Sequence, residues 1–190
     1  MAAPEITTER LVLSKLQADD SKAVLAYRSL PEVCRYQTWE PRSLDDAFRF
    51  IEDLATIDFD TPGTWFQFGI RLRDSGELIG DLGVHFVEDG KQAEIGVTLS
   101  PGSQGRGLGT EAVTAMIEYL FGRLGKHRVF ASVDPRNEPS LRLLRRVGMQ
   151  QEAHLRLSLL FKGEWADDVV YAVLASEWQS AHSGPATTSS

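Results

Sequence analysis

Residues 104–110 read Gln104-Gly105-Arg106-Gly107-Leu108-Gly109-Thr110. A strand-like run, Ala93-Glu94-Ile95-Gly96-Val97-Thr98-Leu99, comes just before, and a strongly apolar helical pattern over 111–124 follows at once. A strand that breaks into glycines and then starts a helix leaves several backbone N–H groups without internal partners. They point out of the helix N-terminus with the positive end of its dipole behind them. Such a place binds anions, most often a phosphate or pyrophosphate. Glycines there let a ligand approach the backbone closely.

Two common phosphate loops do not fit. A P-loop needs Gly-x4-Gly-Lys-Ser/Thr, and residues 104–110 contain no lysine. The dinucleotide fingerprint needs Gly-x-Gly-x-x-Gly, whereas Gly105, Gly107 and Gly109 are spaced one residue too short, and no parallel repeat accompanies them. The pattern Gln-x-x-Gly-x-Gly instead closely resembles the acyl-CoA pyrophosphate loop of the GCN5-related N-acetyltransferases (GNAT). A glycine-rich connection without a ligand is the alternative.

Composition narrows the field. The 190 residues suit one domain with a real core. No apolar run approaches the roughly 20 residues that span a bilayer, so no membrane association is expected. The start, Met1-Ala2-Ala3-Pro4-Glu5, lacks a basic and apolar signal region, which predicts a cytoplasmic protein. The single cysteine, Cys34, excludes an intrachain disulfide framework and supplies no metal cluster; a small buried role is expected for it, and no metal site. The net charge of −7 argues against a nucleic-acid partner, which requires basic patches. It is compatible with a cationic amine substrate.

Along the chain, residues 10–16 read as a first strand. Asp19, Asp20 and Ser21 offer N-caps for a helix to about Leu30, and Pro31 starts a short helical turn. Ser43-Leu44-Asp45-Asp46 approximates a capping box for a helix that buries Ala47, Phe50, Ile51 and Leu54. Strands at 64–72, 78–86 and 92–99, joined by short turns, make an antiparallel meander. The helix after the glycine loop buries Ala112, Val113, Met116, Ile117, Leu120 and Phe121. A strand at 127–133 follows, then a short helix opened by Asn137-Glu138-Pro139-Ser140 and ended by Gly148. Two more strands, 155–161 and 168–174, flank a turn at 162–165. The expected organisation is one domain over 1–179 and a small, polar, disordered tail over 180–190.

This order of elements matches the GNAT fold over about residues 6–178. Three further runs resemble its RimJ/RimL-type branch: Thr8-Glu9-Arg10-Leu11-Val12-Leu13, then Asn137-Glu138-Pro139-Ser140 with Leu143-Leu144-Arg145-Arg146-Val147-Gly148-Met149, and Gly163-Glu164-Trp165-Ala166-Asp167-Asp168-Val169. The resemblance implies an α/β (α+β, mixed-sheet) fold: a mostly antiparallel twisted sheet with helices on both faces. Its fourth and fifth strands, here 92–99 and 127–133, splay apart to hold acyl-CoA.

The same resemblance implies the site. Main-chain groups of Val97, Thr98 and Leu99 would bond the pantetheine arm. Gln104 and the amides of Gly105, Arg106, Gly107, Leu108, Gly109 and Thr110 would hold the pyrophosphate. Arg106, and Arg142 unless it merely lies on a solvated helix face, would neutralise phosphate charge. Asn137 would contact the pantetheine or a water near the sulfur. The chemistry is direct attack of an amine on the thioester of acetyl-CoA, which needs a neutral amine, a polarised carbonyl and a proton for the leaving thiolate. Many relatives supply that proton from a tyrosine whose position is Leu144 here. Ser140, one helical turn earlier, is the position used in the RimL-like branch; its other reading is a first-turn cap beside Pro139. The late glutamate of that branch falls on Leu159. Glu94 is the best remaining carboxylate for a general base: alternation places Glu94, Gly96 and Thr98 on one strand face, directed either to the cleft or to solvent. Glu152, His154 and His85 are weaker candidates. Trp39 is either a wall of the acceptor pocket or a core residue.

The expected activity is therefore acetyl transfer from acetyl-CoA to a primary amine. The acceptor is the N-terminal α-amine of a protein, ribosomal for example, or a small amine such as an antibiotic or polyamine. A longer acyl group such as succinyl, a non-catalytic CoA-binding sensor, and a homodimer are all compatible with the sequence.

Overall fold

The computed structural model describes residues 2–182. One eight-stranded sheet organises the chain. Its strands are β1 (Ile6–Thr7), β2 (Leu11–Lys15), β3 (Thr64–Leu72), β4 (Leu78–Phe86), β5 (Gln92–Leu99), β6 (Arg128–Val133), β7 (Gln150–Phe161) and β8 (Glu164–Leu174). The order across the sheet is β1-β2-β3-β4-β5-β6-β8-β7. All neighbours are antiparallel except β5 and β6, which are parallel. A parallel pair needs a crossover. That crossover is α4 (Leu108–Gly122), which begins at the glycine loop.

Alternation sorts the two faces. In β3, Phe66, Phe68 and Ile70 join β4 residues Leu82, Val84 and Phe86 in the main core, where α4 buries all six residues expected of it. The opposite face of the same strands carries Asp81, which accepts from Gln67 beside it and from Tyr27 and Arg28 of α1 (Ser21–Arg28). Over that face lie α2 (Pro31–Cys34) and α3 (Leu44–Ala55), whose smaller core includes Val24, Val33, Ala47 and Ile51. Ser43 caps α3 as expected, accepting from the Asp46 N–H at 3.1 Å. The box is not closed in the usual way: the Asp46 carboxylate takes the N–H of Arg42 instead.

Beyond β6, α5 (Glu138–Val147) ends at Gly148 with φ of 97°, a left-handed cap. The β7–β8 hairpin turns through Lys162 and Gly163, both at positive φ, the pattern of a type I′ turn. Both strands extend further than their apolar runs suggest, to 150–161 and 164–174. Helix α6 (Ala175–His182) packs Trp178 against the core. Residues 180–182 are thus helical, contrary to the expected tail; the rest of that tail, 183–190, lies outside the described residues. Cys34 is half-exposed rather than buried.

Candidate active site

The parallel pairing of β5 with β6 stops early. It joins Gln92 to Arg128, Ala93 to Val129 and Glu94 to Phe130, and goes no further. From Ile95 to Leu99 the β6-facing edge of β5 is left open, the expected splay. Antiparallel strands direct alternate residues to the partner. Val87 donates to Gln92 O and Ser100 to Ile79 O, so in the uninterrupted register the even-numbered residues of β5 point their backbone at β4. Val97 and Leu99 therefore present main-chain groups to the open edge, while those of Thr98 are directed to Asp81. The Leu99 carbonyl is taken by the Gln104 side chain at 3.0 Å, which ties the loop to the strand end.

The loop takes the conformation that its glycines permit. Gly105 has φ of 71° and Gly107, the N-cap of α4, has φ of 79°. Among the described residues, the amides of Gly105, Arg106 and Gly107 have no protein acceptor. The first-turn amides of Leu108, Gly109 and Thr110 have none within the helix. Gly109 also permits close approach of α5: a Cβ there would lie 2.9 Å from Leu143 Cδ1.

Two clefts adjoin this region. The first, about 450 Å³, runs from the glycine loop along β5 to α5. It is lined by Val97, Thr98, Leu99, Gln104, Gly105, Gly107, Gly109, Thr110, Asn137, Ser140 and Arg142, together with Glu32, Tyr36, Gln37 and Arg146. Of the residues expected to hold a cofactor, only Arg106 and Leu108 are not in its wall. Arg106 is exposed, and Leu108 is buried in the core. Arg142 is 61 % exposed, 3.8 Å from Glu138.

The second cleft, about 340 Å³, lies beyond the open edge. It shares Tyr36, Gln37, Val97, Asn137, Ser140 and Leu143 with the first. Asn137 and Ser140 thus stand where the two meet. Asn137 caps α5, its Oδ1 accepting from the Ser140 N–H at 3.4 Å. The Ser140 hydroxyl has no protein partner among the described residues. Leu144 and Leu159, the positions where the resemblance puts a tyrosine in many relatives and a glutamate in the RimL-like branch, line the second cleft as apolar wall.

Glu94 faces the second cleft. Cross-strand register sets Trp65, His85, Glu94 and Phe130 in one row. Trp65 stacks on His85 at 5.1 Å between centroids, and His85 Nδ1 lies 3.9 Å from the Glu94 carboxylate. That carboxylate is 24 % exposed. Burial pushes it above the usual carboxylate range; His85 opposes the shift and Asp168 adds to it.

Among the described residues, the second cleft is lined by four carboxylates, Glu94, Asp134, Asp167 and Asp168, and by no lysine, arginine or histidine. Three of the four have a basic partner, the longest pair being Glu94 with His85 at 3.9 Å. A hydrogen-bonded ion pair with Arg136 holds Asp134 below its ordinary value. The Leu157 N–H, then His154, does the same for Asp167. Asp168 accepts from the Ser132 hydroxyl at 2.8 Å and has no cationic partner among the described residues.

Other expectations move elsewhere. Trp39 stacks on Phe50 at 4.1 Å under Arg28, in the smaller core, and lines neither cleft. The tryptophan of the second cleft is Trp65. Glu152 pairs with Arg128 at 2.6 Å and His154 with Asp167. Tyr36, Gln37, Arg146, Ser132 and Asp168 were not expected at the site. Of these, Arg146 and Asp168 lie within the runs that resemble the family, 143–149 and 163–169.

An open strand edge that leads into a cradle of unpaired amides, with a second cleft joined at Ser140, is an arrangement for bringing an acyl donor and an acceptor together. Comparison with known proteins agrees. The sequence profile described as an acetyltransferase (GNAT) domain matches residues 10–150. This chain belongs to the GNAT N-acetyltransferase family. As such it is an acetyl-CoA-dependent N-acetyltransferase. It is 31 % identical over 173 residues to the uncharacterized N-acetyltransferase YnaD of Bacillus subtilis (strain 168), covering 91 % of this chain and 98 % of that one. It is 33 % identical over 123 residues to the ribosomal protein uS5-alanine N-acetyltransferase of Escherichia coli (strain K12), covering 64 % and 63 %. The crystal structure of a GNAT-family acetyltransferase from Bacillus anthracis superposes with a TM-score of 0.83 at 27 % identity, covering 92 % of this chain and 100 % of the other. The GNAT sheet and the RimJ-type resemblance read from the sequence are both supported.

Proposed function

We propose that this enzyme acetylates the primary amine of a positively charged acceptor that enters through the second cleft. The observation that carries the reading is the meeting of the two clefts at Asn137 and Ser140. Acetyl-CoA supplies an acetyl group activated as a thioester. The unpaired amides of the glycine loop suit its pyrophosphate, and the open groups of Val97 with the N–H of Leu99 suit its pantetheine amides. Neither Arg106 nor Arg142 has a buried anchor, so each acts as an exposed counter-charge.

The chain's own residues then divide the proton work. Glu94 takes a proton from the acceptor ammonium, a task favoured by a carboxylate whose basicity burial has increased. As the C–N bond forms and the C–S bond breaks, Ser140 donates its proton to the leaving thiolate and regains one from the attacking nitrogen, and the Asn137 cap fixes the turn that carries it. An amine of low basicity makes this easier. An α-amine has a pKa of about 7.7–8.0 and a lysine side chain about 10.4, so near pH 7.5 a lysine costs roughly 4 kcal/mol to neutralise. This supports an α-amine acceptor, as in the uS5-alanine enzyme. The unpaired Asp168 favours a second reading, a small amine with a further cationic centre.

The test is release of free thiol from acetyl-CoA with a matched panel: N-terminal peptides, butylamine and 1,4-diaminobutane. Turnover on cationic acceptors with an unreactive neutral peptide control supports the proposal. Equal turnover irrespective of charge contradicts the acceptor assignment, and tight acetyl-CoA binding with no thiol release on the whole panel favours a sensor.

A further inference from the structure

The run Thr8-Glu9-Arg10-Leu11 lies far from the glycine loop in sequence and reaches it in space. Arg10 Nε binds Glu111 Oε2 at 2.6 Å, and the Arg10 main-chain N–H donates to Glu111 Oε1 at 2.8 Å. The Thr8 hydroxyl donates to the same Oε1 at 2.6 Å. Glu111 lies in the first turn of α4, where a carboxylate suits the helix dipole. Burial raises its carboxyl, but the hydrogen bonds from Thr8 and Arg10 outweigh that and hold it below the usual range.

The other arm of the guanidinium does something different. Arg10 Nη1 donates to the carbonyl oxygen of Arg106 at 3.0 Å. Arg106 O and Gly107 N belong to one peptide plane. In a trans peptide the C=O and the next N–H point in opposite directions. Gripping Arg106 O therefore turns the Gly107 N–H away from Arg10. Gly107 is in the wall of the first cleft and Arg10 is not. The grip thus comes from behind the loop, and the amide it aims has no protein acceptor among the described residues.

We propose that Arg10, held by Glu111 and Thr8, is a positioning residue that orients the Arg106–Gly107 peptide so that its amide faces the donor's pyrophosphate. The inference rests on the reading that the glycine loop binds this group. It is separate from stability: Arg10 is 47 % exposed, and an ion pair that exposed contributes little to folding. The fork geometry matters, because a lysine cannot hold Glu111 and the Arg106 carbonyl with two arms of one rigid plane.

The experiment compares two acyl donors, acetyl-CoA and S-acetylpantetheine, which lacks the pyrophosphate. The readout is the ratio of their kcat/KM values in the wild type, Arg10→Ala and Arg10→Lys. In the wild type acetyl-CoA is strongly preferred. In Arg10→Ala the preference falls roughly tenfold, the size of one charge-assisted hydrogen bond, through a higher KM for acetyl-CoA. Arg10→Lys recovers only part of it. A purely structural role would lower both donors together and leave the ratio unchanged; that result overturns the inference. A wild type with no preference between the donors removes the pyrophosphate reading of the loop, and the role of Arg10 with it.

Discussion

Replacing Glu94 with glutamine removes one charge and almost no volume, so it separates proton chemistry from packing. The carboxylate lies in the row between His85 and Phe130, 24 % exposed, and burial raises its pKa. Loss of a general base costs about 10²–10⁴-fold in rate, so at pH 7.5 kcat should fall by at least about a hundredfold. The deficit must then shrink with pH, because alkaline solution does the work of the missing base. An α-amine with a pKa near 7.8 goes from about one-third neutral at pH 7.5 to nearly fully neutral at pH 9, a gain of about threefold; a lysine-like amine gains about thirtyfold. The slope for Glu94→Gln thus also reports the acceptor's basicity.

Stability should move the other way. A carboxyl whose pKa is raised by folding binds its proton more tightly in the native state, so wild-type stability falls as pH rises from the ordinary glutamate value through the raised one. Glu94→Gln escapes that loss. It should melt like the wild type in acid and higher than the wild type at neutral pH. The assay is thiol release against pH with the best acceptor, paired with thermal melts at the same pH values. Wild-type kcat in Glu94→Gln across the range would refute the base assignment. A variant both slower and less stable at neutral pH would refute the argument that burial strains this carboxylate.

Ser140→Ala should lower kcat by about 10²-fold or more while calorimetry finds acetyl-CoA binding unchanged; retained turnover would leave Ser140 only its place in the α5 turn. Gly107→Ala puts a side chain at φ of 79°, at a cost of about 1–2 kcal/mol, and should lower the Tm by a few degrees and raise the KM for acetyl-CoA more than that for the amine. Asp81→Asn leaves the buried Arg28 without its carboxylate, at a cost of roughly 3–5 kcal/mol, which differential scanning calorimetry would read as a Tm about 10 °C lower.

Local signals made much of this molecule legible. Gly105, Gly107 and Gly148 mark positive-φ positions that few other residues tolerate, so loop and cap were readable without a fold. The apolar stripe of α4 and the turns of the β3–β4–β5 meander are equally local. The site's outer parts are not. Tyr36 and Gln37 come to the clefts because α1 and α2 are anchored through Tyr27 and Arg28 to Asp81, a contact between residues far apart in sequence. Trp39 and Trp65 look alike as aromatics near polar residues; only packing sends the first under Arg28 and the second beside His85. Strand β1 has two residues and no periodicity to detect, and α6 was hidden by the small polar composition that follows Trp178. The roles of Arg10 and Asp168 depend on which neighbour each side chain meets, which spacing alone does not report.

In the proposed reaction, donor and acceptor occupy two clefts joined at Ser140. A conjugate in which CoA is linked through its acetyl group to the preferred amine tests this most directly, by titration calorimetry against CoA alone. If the clefts form one path, the linked amine binds at high effective concentration, and the conjugate should bind about 100-fold or more tightly than CoA. That advantage should weaken in Asp168→Asn. A conjugate that binds no better than CoA would mean that the two clefts do not form one donor–acceptor path.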